Sequence, residues 1–315
     1  MFAYYVHHLS PFVFQFPNGM GPRWYGLAYV SAFMVGTWLY RHLAERGYSE
    51  LKPAQVSDFI TWSALFGVLL GGRLGYFLFY DLAGLLSDPL VFFRVWQGGM
   101  ASHGGILGLF FYTLWYARKH KISWTGLGDN LVVVAPIGLF FGRMANFING
   151  ELYGRITHVS WAMQFPAELQ DPIIWNQKLP ELDRALSQYP ATLTSPQAII
   201  DEARRSETLR DLLRDVLNPR HPSQLYEAVL EGLLLFAILW LVRTKMKVRR
   251  GVLTGLFFIL YAIARISGEQ FREPDASLFG PLTRGQFYSL FMILIGAVFL
   301  FWSRHQEAPE APQKS

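Results

Sequence analysis

The chain has 315 residues, of which 52% are hydrophobic, 16% aromatic and 16% charged, against about 25% charged in an ordinary soluble domain. Its 26 Phe, 15 Tyr and 10 Trp suit a chain that meets lipid and needs ring anchors at the membrane surface. With no cysteine, disulfides, thiolate metal sites and a cysteine nucleophile of the protein's own are excluded, so any thiol chemistry uses a substrate's thiol.

Residues 1–23 lack a basic stretch before an apolar segment and show no small-residue cleavage site. They read as an interfacial arm carrying Phe2, Tyr4, Tyr5, Phe12, Phe14 and Phe16, not as a removable signal peptide. Seven apolar runs follow, at 24–40, 59–80, 95–117, 130–150, 225–242, 251–268 and 285–302, each near the roughly 20 residues that a hydrocarbon core about 30 Å thick requires. The fifth carries Glu227 and Glu231 near its start. Between the fourth and fifth runs, residues 155–222 are far more polar, with a charged stretch from Asp201 to Arg214, and predict a small helical head outside the membrane. Residues 303–315 read as a tail, disordered from Gln306 onward. The expected fold is an all-α integral membrane protein: the arm, four membrane helices through residue 154, the head, three further helices over 223–302, and the tail.

The +5 net charge suggests nucleic acid until the charges are located. Arg41, Arg46, Lys52, Arg118, Lys119, Lys121, Arg243, Lys245, Lys247, Arg249, Arg250, Arg304 and Lys314 follow the odd-numbered runs, whereas the short opposite loops hold Arg23, Arg94, Arg272 and Arg284. Basic residues collect on the cytoplasmic side, so the N-terminus is expected outside and the C-terminus inside, with no nucleic-acid partner.

Gly67, Gly71 and Gly75 form a smooth stripe on one helix face, as close helix packing demands. Gly98, Gly99, Gly104 and Gly105 around His103 are denser than packing needs and suggest locally opened backbone at a site. An ionised side chain within a span costs about 2.5–3.5 kcal/mol even on lenient scales, so each calls for a partner or a task. Arg73, seven residues before Tyr80, is either structural or part of a phospholipid-binding set. Arg143 lies in Gly-Arg-Met-Ala-Asn-Phe-Ile-Asn-Gly-Glu-Leu-Tyr-Gly-Arg, residues 142–155, where Arg143, Asn146 and Gly150 share a helix face. Arg265 has Glu269 one turn later and Arg272 beyond, either an internal salt bridge or a second part of the same site. Two or three guanidinium forks at membrane level imply an anionic headgroup, a phospholipid above all. His103 is the one histidine within a run, a candidate general base or phosphate donor. His221, in His-Pro-Ser-Gln-Leu-Tyr-Glu at 221–227, opens the fifth run and is either a cap or a site residue.

These segments resemble the prolipoprotein diacylglyceryl transferase family of the bacterial inner membrane nearly end to end. The resemblance is carried by Arg-Trp-Tyr-Gly at 23–26, Gly-Gly-Arg-Leu-Gly-Tyr at 71–76, Gly-Gly-Met-Ala-Ser-His-Gly-Gly at 98–105, the 142–155 segment, the 221–227 segment and Arg265 through Asp275. It departs at Ala145, where Gly is common in the family. It implies transfer of the sn-1,2-diacylglyceryl group of phosphatidylglycerol to the lipobox cysteine of a prolipoprotein, giving a thioether and glycerol 1-phosphate. By the same resemblance Arg143 and Arg265 hold the phosphate and stabilise its leaving charge, His103 is base or phosphate donor, and Asn146 and Glu151 orient the arginines. Tyr25, Gly154, Tyr261, Glu269 and Arg272 fall on family positions linked to activity, with Tyr261, Glu269, Arg272 and Arg73 in the phosphatidylglycerol-binding set. The expected partners are phosphatidylglycerol and prolipoprotein signal peptides, within membrane lipid, for a chain acting as a monomer with no cofactor and no metal.

Rival classes fit less well. An organic-anion transporter favours an internal repeat with paired broken helices, and the 142–155 segment has no counterpart in the other half. A retinal protein needs a lysine in the last run, and a haem or quinone carrier needs facing histidines on two runs; neither is present.

Overall fold

The computed structural model describes residues 4–187, 189, 193–274 and 280–306. Its long elements are α1 (Trp24–Glu45), α2 (Pro53–Phe79, π-helical over Ser63–Leu70), the short α3 (Leu82–Ser87), α4 (Ser102–His120), α5 (Trp124–Asn149), the head helices α6 (Pro172–Ala185), α7 (Pro196–Arg205) and α8 (Glu207–Leu213), then α9 (Ser223–Lys245, π-helical over Ala228–Leu234), α10 (Val252–Glu269) and α11 (Arg284–Ser303). Five of these, α2, α5, α9, α10 and α11, are long and apolar enough to cross a membrane. α1 and α4 have 22 and 19 residues, but tyrosines, tryptophans and terminal basic residues lower their hydropathy. The architecture is that of an all-α integral membrane protein, with three two-residue strands as its only sheet among the described residues. Large apolar side chains such as Met34, Leu78, Phe79, Ile106 and Val298 stand more than half exposed, a surface that lipid covers favourably.

The third run starts later than its composition predicts. Residues 89–97 form 3₁₀ turns, Gly98 and Gly99 take φ of 82° and 80°, and α4 begins at Ser102. The tail falls outside the described residues from 307 on.

The chain divides into two compact units. Unit 1 comprises Met1–Ala32, Pro136–Ala237 and Phe258–Leu294. In it β1 (Tyr5–Val6) pairs in parallel with β2 (Met163–Gln164), which pairs antiparallel with β3 (Pro219–Arg220). Val6 thereby enters the apolar core of the head with Leu169, Leu182, Ile199, Leu209 and Leu213. The head helices start where their sequences say they should: Asp171, Ser195 and Ser206 accept hydrogen bonds from first-turn amides, with Pro172 and Pro196 at the first helical position.

Unit 2 comprises Phe33–Ala135, Ile238–Phe257 and Ile295–Ser315. Here Tyr40, Phe59, Tyr112 and Tyr116 form a buried aromatic cluster. Asp129, buried, accepts from the Gly251 amide (2.7 Å) and from Thr254 N and Oγ1 (2.8 Å each), which satisfies the first amides of α10. The glycine stripe packs as expected: a Cβ on Gly71 would lie 2.6 Å from the Gly104 carbonyl and 2.9 Å from Gly108 Cα. Gly104 therefore belongs to a helix seam, and the opened backbone expected around His103 is confined to Gly98 and Gly99.

Candidate active site

α5 ends in the 142–155 segment. Gly150 turns the chain with φ +72°, Leu152 follows at +54°, and the Glu151 amide returns to the Asn146 carbonyl at 3.2 Å. This turn aims the Glu151 carboxylate back at its own helix. Asn146 Nδ2 donates to Glu151 Oε1 at 2.8 Å and to the Tyr25 hydroxyl, and Tyr25 in turn donates to the same Glu151 oxygen at 2.5 Å. Ser223 and Gln224 at the start of α9 fix the turn from outside: Gln224 Nε2 donates to the Glu151 carbonyl at 2.7 Å and Ser223 Oγ to that of Leu152 at 3.1 Å.

One turn back along α5, Arg143 meets α9. Its Nη2 and Nε donate to Glu231 Oε2 at 2.9 and 3.2 Å, and its Nη1 lies 3.1 Å from Glu227 Oε2. From α10, Arg265 Nη1 donates to Glu227 Oε1 at 2.8 Å and lies 3.5 Å from Glu231 Oε1, while Nη2 pairs with Glu269 one turn on. Arg272 Nη1 is 3.4 Å from the same Glu227 oxygen. Three guanidiniums and three carboxylates thus form one lattice, and Tyr261 interacts electrostatically with Glu231, Arg143 and Arg265. The burial is asymmetric. Glu227 and Glu231 are 0% exposed, whereas the Arg143 and Arg265 side chains keep 15%. Carboxylates form the closed back of the lattice and guanidinium edges its open side.

Glycines set the lattice's tolerances. A Cβ on Gly285, at the start of α11, would stand 2.7 Å from Glu269 Cδ and 3.1 Å from Arg265 Nε. Gly154 bridges Arg272 in antiparallel fashion, and its Cβ would stand 2.5 Å from the His221 carbonyl and against that of Phe271. Nothing larger than glycine fits a backbone-to-backbone approach of that kind. Beside it, Arg220 pairs with Glu168 (2.5 Å) and Glu273 (3.1 Å), donates to the Gly154 carbonyl (3.2 Å) and lies over the Tyr153 ring. His221 does not cap α9: Pro222 occupies the cap position, and His221 Nδ1 lies 3.3 Å from the Tyr226 hydroxyl, its pKa held below the ordinary histidine value by burial.

The residues singled out in the sequence therefore separate into two groups. Tyr25, Arg143, Asn146, Glu151, Gly154, Tyr261, Arg265, Glu269 and Arg272 all belong to unit 1; Arg73 and His103 belong to unit 2. His103 is the second residue of α4. Arg73 is 2% exposed and donates to the backbone carbonyls of Phe92 (3.0 Å), Gly99 (3.0 Å), Gly98 and Val91, with its guanidinium over the Phe77 ring. A fork engaged in this way latches the 89–99 segment to α2, the structural one of the two roles that the sequence left open. Glu227 and Glu231 mark no more than the start of a span in the sequence, yet the cost that singles out the arginines applies equally to acids one turn apart in an apolar run. Ser223, Gln224 and Gly285 carried no comparable signal.

Residues 11–302 match the family described as prolipoprotein diacylglyceryl transferase. The chain belongs to that family. It is 42% identical over 294 residues to the phosphatidylglycerol–prolipoprotein diacylglyceryl transferase of Nitratidesulfovibrio vulgaris, covering 92% of each chain. It is 37% identical over 311 residues to the protein of the same name from Coxiella burnetii, covering 96% of this chain and 99% of the other. A Bradyrhizobium diazoefficiens protein of that name is 39% identical over 299 residues, with 91% and 89% covered. As a member of the diacylglyceryl transferase family, the chain has both its arginine lattice and its Tyr25–Asn146–Glu151 group within the matched span.

Proposed function

We propose that this protein transfers the sn-1,2-diacylglyceryl group of phosphatidylglycerol to the lipobox cysteine of prolipoproteins, the first step of lipoprotein maturation. The observation that carries this reading is the asymmetry of the lattice. Fully buried carboxylates hold Arg143 and Arg265 from behind, leaving guanidinium edges to receive a phosphate, the group that a bidentate fork fits best. In the reaction the cysteine sulfur attacks the glycerol carbon esterified to phosphate. The C–S bond forms as the C–O bond breaks, and glycerol 1-phosphate leaves with the bonding pair. Charge grows on the departing phosphate, so prepositioned guanidiniums stabilise the transition state more than the ground state. Tyr25, Asn146 and Glu151 form a polar wall beside them that fixes the orientation of α5, and Tyr261, Glu269 and Arg272 complete the phospholipid site. His103 is the candidate acceptor of the thiol proton or a further donor to the phosphate.

The same reading places the protein in the bacterial inner membrane with seven spans, α1, α2, α4, α5, α9, α10 and α11, the N-terminal arm and head on the periplasmic side and the C-terminus in the cytoplasm. It acts as a monomer. The test incubates the purified protein in liposomes with a lipobox peptide and either phosphatidylglycerol or phosphatidylethanolamine, read by mass spectrometry. The expected result is a diacylglyceryl mass gain with phosphatidylglycerol alone, abolished when the peptide's cysteine is replaced by Ser. No gain from folded protein across several lipobox peptides overturns the reading.

A further inference from the structure

Unit 2 carries a groove that the transfer chemistry does not use. α2 and α4 meet backbone to backbone along Gly67, Gly71, Gly104 and Gly108, and beside this seam the larger side chains diverge. Near the start of α2 and the end of α4 the groove opens into a cavity of about 380 Å³ that combines aromatic walls with charge: Asp58, Trp62, Tyr112, Trp115, Lys119 and His120. Lys119 Nζ lies 4.8 Å from the Trp115 ring centroid, and His120 stacks on Tyr116 at 4.2 Å. Asp58 and Lys119 have opposite charges in one cavity, and neither makes an ion pair among the described residues.

Two apolar cavities continue from it. One of about 470 Å³ shares Phe66, Tyr112 and Trp115 with the charged end and runs over Gly71 and Gly108 to Leu74. The other, about 270 Å³, shares Trp62 and Phe66 and runs along Leu65 and Leu69. From Trp62 to Leu74 the helix rises by at most about 18 Å, the α-helical limit for twelve residues, close to the half-thickness of a hydrocarbon core about 30 Å deep. One charged end leading into two apolar channels of leaflet depth has the outline of a single two-chain lipid.

We propose that this groove binds one diacyl phospholipid with a zwitterionic, ammonium-bearing headgroup. The ammonium pairs with Asp58 beside the face of Trp62, an arrangement that combines ion pairing with cation–π attraction. The phosphate is held by Lys119, which its stacking on Trp115 keeps at the rim, and by His120. One chain follows Gly71 and Gly108 and the other Leu65 and Leu69. An anionic glycerol headgroup satisfies Lys119 but leaves Asp58 facing a like charge, so the site selects against the lipid class that serves as donor. On the orientation proposed above, this lipid lies in the cytoplasmic leaflet; its binding does not depend on the transfer reaction.

The test is native mass spectrometry of the full chain released from detergent after exchange with equal amounts of phosphatidylethanolamine and phosphatidylglycerol, repeated with Asp58→Asn and Lys119→Gln. The expected result is one tightly retained phosphatidylethanolamine, a preference over phosphatidylglycerol that falls at least tenfold in Asp58→Asn, and loss of both lipids in Lys119→Gln. Diacylglyceryl transfer and melting temperature remain within twofold and within 2 °C of the unaltered protein in Asp58→Asn, which separates loss of the lipid from loss of the fold. Equal retention of the two lipids by the unaltered protein, or an unchanged preference in Asp58→Asn, overturns the proposal.

Discussion

Arg73, buried, and Arg143, half-buried, both lie in apolar helices, and they are satisfied in different ways. Arg73 gives its fork to the carbonyls of Val91, Phe92, Gly98 and Gly99 and keeps 2% exposure. Arg143 gives its fork to two carboxylates that are themselves closed off, and keeps 15% of its side chain open. Carbonyls neutralise no charge, and the first arrangement spends four of its five N–H donors on holding a loop. Carboxylates neutralise the charge and pin the guanidinium plane, so the second leaves a fixed guanidinium edge partly open. The lesson is that two arginines in apolar helices meet the cost of leaving water through different partners and keep different exposures.

The comparison breaks most severely at Glu227, which touches Arg143, Arg265 and Arg272. Glu227→Ala leaves three guanidiniums short of a partner, a loss of about 3–5 kcal/mol, seen as a melting temperature well below that of the shape-preserving Glu227→Gln in nanodiscs. Next, Arg143→Ala is expected to lower transfer by about 10²–10³-fold, the cost of one missing charge-stabilising donor group, in protein that still inserts. Arg73→Lys, which loses the planar fork, is expected to lower the melting temperature while transfer per folded molecule stays within a few-fold. If Arg73→Lys abolished transfer in stable protein, the distinction would fail.

A fourth effect sets the charged lattice against a buried group with no ion-pair partner among the described residues. His7 is 5% exposed between the Phe165 and Phe147 rings, and burial lowers its pKa to about 4. Its folded value lies below the ordinary 6.5, so the unfolded chain takes up the proton first. The stability is fully present above pH 6.5 and declines as pH falls toward 4, by about 3 kcal/mol in all. His7→Phe is expected to flatten the pH dependence of the melting temperature over that window. The smallest effect belongs to the seam of unit 2: Gly104→Ala places a Cβ 2.7 Å from Gly75 Cα and is expected to cost about 1–3 kcal/mol as overpacking, read as a melting shift with transfer retained.

Much of this molecule was legible in one dimension. Apolar runs of membrane length mark α2, α5, α9, α10 and α11, because lipid obliges the backbone to satisfy its own hydrogen bonds. Arg265 and Glu269 pair within one helix at the spacing the sequence shows. Arg143, Asn146 and Glu151 stood out as polar residues in an apolar setting, and all three belong to the polar network of unit 1. The 3₁₀ segment before Ser102 was not legible, because Val95 and Trp96 read as the start of a span while the turn depends on Gly98, Gly99 and the Arg73 latch.

By itself the sequence determined that the chain lives in a membrane, where its longest apolar helices lie, and which charged residues demand an explanation, since hydropathy and glycine spacing act over a few neighbouring residues. Only the tertiary structure decided who answers whom. Tyr25 meets Glu151 across 126 positions and Arg143 meets Glu231 across 88, and no local pattern encodes such pairings. They arise because a charge removed from water is tolerated only where packing brings the opposite charge or a set of carbonyls to it, and that choice turned Arg73 into a latch and Arg143 into the open edge of a charged lattice.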